Sequence, residues 1–297
     1  MKKAILIFNG SAGLGMVREY AFQVIEELTA IGYRTEVWPV LKDLKDYDPC
    51  KMLEQYREEV DLVVCAGGDG TLFHLVNSMM HMKKRPLLGY LPLGSTNDFA
   101  RGIPISSDPE EAIDTLIHGH PFSYDIGNIN GLYFNYVAAF GAFSSISYST
   151  DQNTKNMLGH AAYTLNGLSH FAENLSYRRH LHIKADSFQA DGDYMFGAIY
   201  NSVTIGGFQL SDKITLDNGR FDLLLVRAPD NLMETSSIIN ALANQDIDDC
   251  PEILHREISN AEIIFDEPTA WTTDGDFAEE GREFHFHVFP RAITIIR

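Results

Sequence analysis

Apolar positions along this chain follow two different rhythms. In the first 120 residues, short strand-like segments at 3–9, 33–40, 61–66 and 87–93 alternate with stretches of helical periodicity. Each is too short for a buried helix, and the apolar run of 61–66, with β-branched Val63 and Val64, suits a parallel strand covered on both faces. Tyr20, Val24, Leu28 and Ile31 recur at helical spacing and stop at Gly32, and 52–59 and 72–80 read as further helices. This alternation predicts a parallel sheet with helices on both faces, and such sheets bind ligands at the carboxyl ends of their strands.

From about Pro121 the pattern changes. Segments 123–129, 133–140, 180–185, 194–205 and 221–227 read as strands, punctuated by Asn130-Gly131, Asp191-Gly192 and Asp217-Asn218-Gly219. Helical spacing returns only over 155–177, with Leu158, Ala161, Leu165 and Leu168 among its apolar positions, and over 231–244. The first of these helices is expected to pack on the sheet, although Arg178-Arg179-His180 just after it would also suit a lipid headgroup. The expected fold class is therefore α/β plus β. A doubly wound parallel-sheet domain spans 1–121, and a mainly antiparallel β domain spans 122–297.

Chemistry concentrates where the strands of the first half end. The run 61–66 breaks into Gly67, Gly68, Asp69, Gly70 and Thr71 before a helix. Glycines there let the backbone approach a ligand, and the helix N-terminus favours a phosphate. Asp69 beside a phosphate makes sense only with a cation between them, which points to a magnesium nucleotide. The strand at 87–93 ends likewise in Gly94, Ser95, Thr96, Asn97 and Asp98, and the first strand in Asn9, Gly10, Ser11, Ala12 and Gly13. Three small or polar turns at three strand ends predict a phosphate-binding crevice. The pattern is neither the dinucleotide fingerprint nor the P-loop. Near the end, Thr272-Thr273-Asp274-Gly275-Asp276 places two carboxylates around a glycine, and spacing alone predicts only a hairpin turn.

Composition narrows the partners. A formal net charge of -18 on 297 residues excludes a polyanion such as nucleic acid and confines any contact with an anionic membrane to a local patch. No apolar run is long enough to span a bilayer, and Met1-Lys2-Lys3 leads into a strand-like segment and not a signal peptide, so a cytoplasmic location is expected. Cys50, Cys65 and Cys250 lie far apart without a CxxC, which suggests neither a zinc site nor a disulfide framework.

With Gly-Gly-Asp-Gly-Thr after one strand, Gly-Ser-Thr-Asn-Asp-Phe-Ala-Arg after the next, and a late Asp-Gly-acid, the chain resembles the soluble bacterial diacylglycerol kinases. These share a catalytic domain with sphingosine kinases and, distantly, a fold with NAD kinase. The resemblance implies an N-terminal nucleotide domain, a C-terminal lipid domain and ATP between them, with magnesium as cofactor and a role in phospholipid biosynthesis. Carried over by position, Asn9 to Gly13, Gly67 to Thr71 and Gly94 to Asn97 hold the nucleotide, with Asp69 near its magnesium. Asp98 and Asp125 match an acidic network near the active site. Asp274 matches the general base that takes the proton of the lipid hydroxyl, and Asp276 the glutamate of the family's Asp-Gly-Glu. A structural-metal loop corresponds to Thr215, Asn218 and Arg220. The lipid partner implies transient peripheral membrane contact, and homodimerisation is left open.

The chain departs from the family in four places. Gly10 and Leu14 stand where proline and lysine are usual, leaving Arg18 as a substitute cation. Phe73-His74 replaces Asn-Glu, Asn218 an aspartate, and Asp276 a glutamate. Three readings remain open: a lipid kinase, an NAD-kinase-like enzyme for a soluble hydroxyl substrate, and an inactive nucleotide- or lipid-binding homologue. Phe73-His74 and the Ser-Thr-Asn-Asp segment favour the first.

Overall fold

A computed structural model describes residues 1–10, 16–41, 44, 47–56, 58–94, 97–141, 176–205, 208–209, 215–244 and 246–297. The chain divides into two compact units, Met1–Tyr124 with Arg291–Arg297, and Asp125–Pro290. Residues 291–297, placed in the second domain from sequence, thus belong to the first unit.

In the first unit, β1 (Lys2–Phe8), β2 (Tyr33–Pro39), β3 (Leu62–Gly67) and β4 (Leu87–Pro92) form a parallel sheet in the order β4-β3-β1-β2. The alternation of a strand sends Ala4, Leu6, Leu62, Val64 and Ala66 to one face. There they share a core with Val24 and Leu28 of α1 (Met16–Ala30) and with Ala112, Ile113 and Leu116 of α5 (Pro109–His118). Ile5, Ile7, Val63 and Cys65 point the other way, towards α2 (Pro49–Gln55) and α3 (Asp69–His81). At the start of β1 the buried Lys3 ammonium lies 2.8 Å from Glu36 and 2.6 Å from Glu58, and also meets the Tyr56 hydroxyl.

Two helices differ from the sequence reading. α2 begins three residues before the expected 52–59 helix, because Asp48 caps it by accepting from the N–H groups of Cys50 and Lys51, with Pro49 at its first position. α5 was not expected, although Asp108-Pro109-Glu110-Glu111 is a strong helix start: Asp108 accepts from the N–H groups of Glu110 and Glu111. The short α4 (Asp98–Gly102) precedes it.

The chain's last strand, β15 (Asp276–Ile296), is 21 residues long and was not legible from its pattern. Its end returns to the first unit beside β4, with Ile295 opposite Leu88 in parallel register. His120 and Arg297 exchange both backbone hydrogen bonds there.

The second unit is mainly antiparallel. Beyond β5 (Pro121–Ile129), which enters it from the first unit, its strands include β6 (Leu132–Phe134), β7 (Val137–Gly141), β8 (Arg179–Ala185) and β9 (Phe188–Tyr200). After the short β10 (Thr204–Ile205) and β11 (Phe208–Gln209) come β12 (Phe221–Arg227), β13 (Ile253–Ile258) and β14 (Asn260–Thr273). Two long strands, β9 and β14, frame the sheet, with β8 between their outer halves and β7 between their inner halves. One face carries a core with α6 (Leu232–Asn244), built on Ala198, Leu224, Val226 and Ile238. Opposite it, Phe140, Phe265, Trp271 and Phe284 pack ring against ring. The helix expected over 155–177 falls outside the described residues except at 176 and 177, which are not helical.

At the unit's edge, His255 on β13 sits between two carboxylates, with Nε2 3.2 Å from Asp222 and Nδ1 2.7 Å from Asp248. Its ring stacks on Tyr200. The hydrogen bond to Asp222 leads the causes that raise its pKa, with the bond to Asp248 adding to it and burial opposing both. A raised folded value stabilises the protein fully below the unfolded value of about 6.5, and that contribution disappears as pH rises through the folded value. His255→Gln should therefore lower the melting temperature more at about pH 6 than at about pH 9. Thermal unfolding of both proteins at the two pH values checks this.

Candidate active site

In the first unit the sequence-predicted turns do meet at the carboxyl ends of β1, β3 and β4. Asn9 follows β1, donating its backbone N–H to the Ala66 carbonyl and its side-chain amide to the Thr71 hydroxyl at 3.4 Å. Gly68 is the N-cap of α3 and has no side chain to offer, so Thr71 and Leu72 close the first turn on its carbonyl. The N–H groups at the start of α3 therefore precede the intrahelical ladder, the arrangement that favours an anion.

Two of the glycines serve packing as much as ligand access. A Cβ on Gly94 would lie 2.4 Å from the Gly68 Cα and 2.7 Å from the Asn97 carboxamide oxygen. The turns after β3 and β4 therefore touch backbone to backbone. Asn97, in the left-handed region at φ 52°, is buried, and its carboxamide accepts from the Gly94 N–H while donating to the carbonyls of Pro92 and Gly94. Its side chain closes the loop and is not presented to a ligand.

Asp69 joins the same two turns. Its carboxylate accepts from the N–H of Asp98 at 3.0 Å and of Phe99 at 3.3 Å, capping α4 from the first residue of α3. Each oxygen thus accepts one of these backbone donors and has a second lone pair. Asp98 in turn lies 3.3 Å from Arg101. Ser11, Ala12, Gly13, Leu14, Ser95 and Thr96 fall outside the described residues, Gly10 follows Asn9 in a turn, and Gly67 and Gly70 flank the cap of α3.

In the second unit, Asp274 and Gly275 form the two-residue turn between β14 and β15, with φ of 48° and 89° as the hairpin geometry requires. The Asp274 side chain is fully buried. One oxygen accepts from the backbone N–H and side-chain amide of Asn135 at 2.7 and 2.9 Å, the other from the N–H groups of Tyr136 and Val137 at 3.0 and 3.2 Å. This explains why the expected strand 133–140 is split into β6 and β7: the N–H groups between them leave the ladder for a carboxylate. Burial pushes the Asp274 carboxyl up to about 6, against these four bonds, which favour the ionised form. With two donors on each oxygen, Asp274 anchors the turn to residues 135–137. Asp276, paired across the turn with Thr273, is exposed, and its carboxylate makes no hydrogen bond or ion pair among the described residues. Asn135, Tyr136 and Val137 were not anticipated, since backbone donors leave no mark on a sequence.

Asp125 is also buried in this unit, its N–H bonded to the Leu216 carbonyl and its carboxylate accepting from Gly219 N–H at 2.5 Å. The loop expected to hold a structural metal through Asn218 and the carbonyls of Thr215 and Arg220 surrounds Gly219. Asn218 is uncharged, its oxygen accepts from the Arg220 N–H and its amide points to Glu257. Thr215 is exposed, and the Arg220 guanidinium lies 3.8 Å from Asp186.

The family description "Diacylglycerol kinase catalytic domain" matches residues 3–129. The chain is 31% identical to a diacylglycerol kinase of Bacillus subtilis (strain 168) over 282 residues, covering 93% of this chain and 90% of that protein. The chain belongs to the diacylglycerol kinase family. A diacylglycerol kinase of Staphylococcus carnosus (strain TM300) is 27% identical, covering 93% of this chain and 89% of that one. Among solved structures, a diacylglycerol kinase from Bacillus anthracis str. Sterne shares the fold with a TM-score of 0.74 at 18% identity, covering 99% of this chain and 96% of that one. A second structure from that organism gives a TM-score of 0.80 at 21% identity, covering 99% and 95% of the two chains.

The anchor makes a stability prediction. An asparagine NH2 in place of either oxygen faces two N–H donors, leaving buried donors unsatisfied at a cost of about 3 kcal/mol. Denaturant unfolding of Asp274→Asn should show that loss; an unchanged midpoint would remove the anchor role.

Proposed function

We propose that this protein is an ATP-dependent lipid kinase, transferring the γ-phosphoryl group of ATP to the free hydroxyl of diacylglycerol or a similar single-hydroxyl lipid. The observation that carries the reading is the pair of turns at 67–70 and 94–97, joined by Asp69 at the ends of adjacent strands, in a chain of this family. In the first unit, Asn9, Gly10, the start of α3 from Gly67 to Thr71 and the backbone at Gly94 receive the phosphates. Ser11, Ala12, Gly13, Ser95 and Thr96 take the same role from the resemblance. Asn97 and Asp69 position these turns.

The lipid hydroxyl oxygen attacks the γ-phosphorus, the bond to the β–γ bridging oxygen breaks, and ADP leaves. The hydroxyl proton passes to a carboxylate late in the step, because the transition state is loose. We assign that carboxylate to Asp276, which is exposed and unencumbered, while Asp274 fixes the turn that presents it. Asp98 and Asp125 are held at the first residue of α4 and against the 216–219 loop, and serve as positioning groups of the two units. Magnesium bound to ATP would screen the phosphate charge, with Asp69 the carboxylate proposed beside it. Transient contact with the membrane that holds the lipid follows from the substrate. Among the described residues no helix is long and apolar enough to cross a membrane.

Labelled ATP and dioleoylglycerol in mixed micelles should yield labelled phosphatidic acid; nucleotide binding without lipid phosphorylation would overturn the reading. Within that assay, Asp276→Asn should lower kcat by about a hundredfold or more with an unchanged melting temperature. Gly94→Ala should instead raise the ATP requirement and cost about 1–3 kcal/mol of stability, because the added methyl meets backbone. A variant at 276 with full activity would return the proton to another group.

A further inference from the structure

The solvent face of the β14–β15 hairpin carries a second constellation that phosphoryl transfer does not use. Glu262 on β14 stands directly opposite His285 on β15. Glu283 lies two residues before His285, so all three side chains leave the sheet on one face. One donor atom from each lies within 4.8 Å of the others, and His285 Nε2 is 3.0 Å from a Glu283 oxygen.

The strand that carries two of these groups is held from the side. Asn130, in the tight turn after β5, accepts from the His285 N–H at 2.8 Å and donates its amide to the Glu283 carbonyl at 3.0 Å. Its own N–H reaches the His285 carbonyl at 3.1 Å. Main-chain positions 283 and 285 are therefore fixed, and only side-chain rotations remain to be ordered. Lys184 on β8 is the other cross-strand neighbour of Glu262, yet the two form no ion pair.

We propose that Glu262, Glu283 and His285 form a surface site for a borderline first-row dication of the zinc class. An imidazole with carboxylates suits zinc and its neighbours, whereas magnesium and calcium take oxygen ligands. Two carboxylates balance the charge of the ion, and water completes its shell. Zinc–ligand distances of about 2 Å set donor separations of roughly 3–4 Å, within reach of small rotations of exposed glutamates. The ion replaces the His285–Glu283 hydrogen bond with two coordinate bonds and ties β14 to β15 in the same hairpin whose turn holds Asp274.

Zinc titrated calorimetrically into tag-free, chelator-stripped protein should bind with a stoichiometry of one. Cobalt in its place should give the visible absorption of a low-coordinate protein site. His285→Ala and Glu262→Gln should each weaken zinc at least about tenfold and abolish the zinc-induced rise in melting temperature. His180→Ala with His182→Ala, on neighbouring β8, should change neither. Circular dichroism establishes that each variant folds. Absence of zinc binding, or binding that survives His285→Ala, overturns the site, as does binding lost on the β8 variant instead.

Discussion

One buried carboxylate organises the second unit. Asp274 carries its charge into a buried place, and the cost of that transfer is met by four N–H donors, three of them main-chain. Because a carboxylate must be approached in its own plane, these donors fix where β6 stops, where β7 starts and how the β14–β15 turn is tilted. The reverse also holds. A chain segment such as 135–137, whose N–H groups would otherwise be orphaned between two strands, needs an acceptor of this kind. The same interaction explains why the residue at the turn is an aspartate in the left-handed region, where a short acidic side chain is tolerated better than most.

The first unit uses a related device with a different result. Asp69 spans from one helix start to another, so the turns after β3 and β4 are held together as one unit. The Gly68–Gly94 contact sets their distance, and the Asn97 carboxamide sets the curvature of the second. Such a frame uses its polar side chains to hold its own shape.

Much of this was legible in the sequence, and the rest was hidden for identifiable reasons. The central strands of the first unit announce themselves because a strand covered on both faces is apolar, as 62–66 is. The glycine turns follow from the same run ending abruptly. β15 was hidden because its solvent-facing alternation, Glu283-Phe284-His285-Phe286-His287, is interrupted by charged and proline residues at 279–283 and 290. α5 was written plainly in Asp108-Pro109-Glu110-Glu111 and was overlooked in favour of longer runs. The roles of Asn97 and Asp274 could not be read at all. Whether a polar side chain faces a ligand or its own backbone depends on tertiary partners, and main-chain partners are invisible in a list of residue types.

The return of residues 291–297 to the first unit has a consequence for how the chain is made. The second unit is an insertion within the first, entered at 124 and left at 290. During synthesis β4 therefore emerges long before the strand that covers its outer edge, and that edge stays open as a template for mispairing until residue 295 has been made. The contact between Leu88 and Ile295 is among the longest loops in the chain, so closure of the parallel sheet is a late event in folding. A fragment ending near residue 121 is not a smaller version of the first unit but one that lacks its final strand.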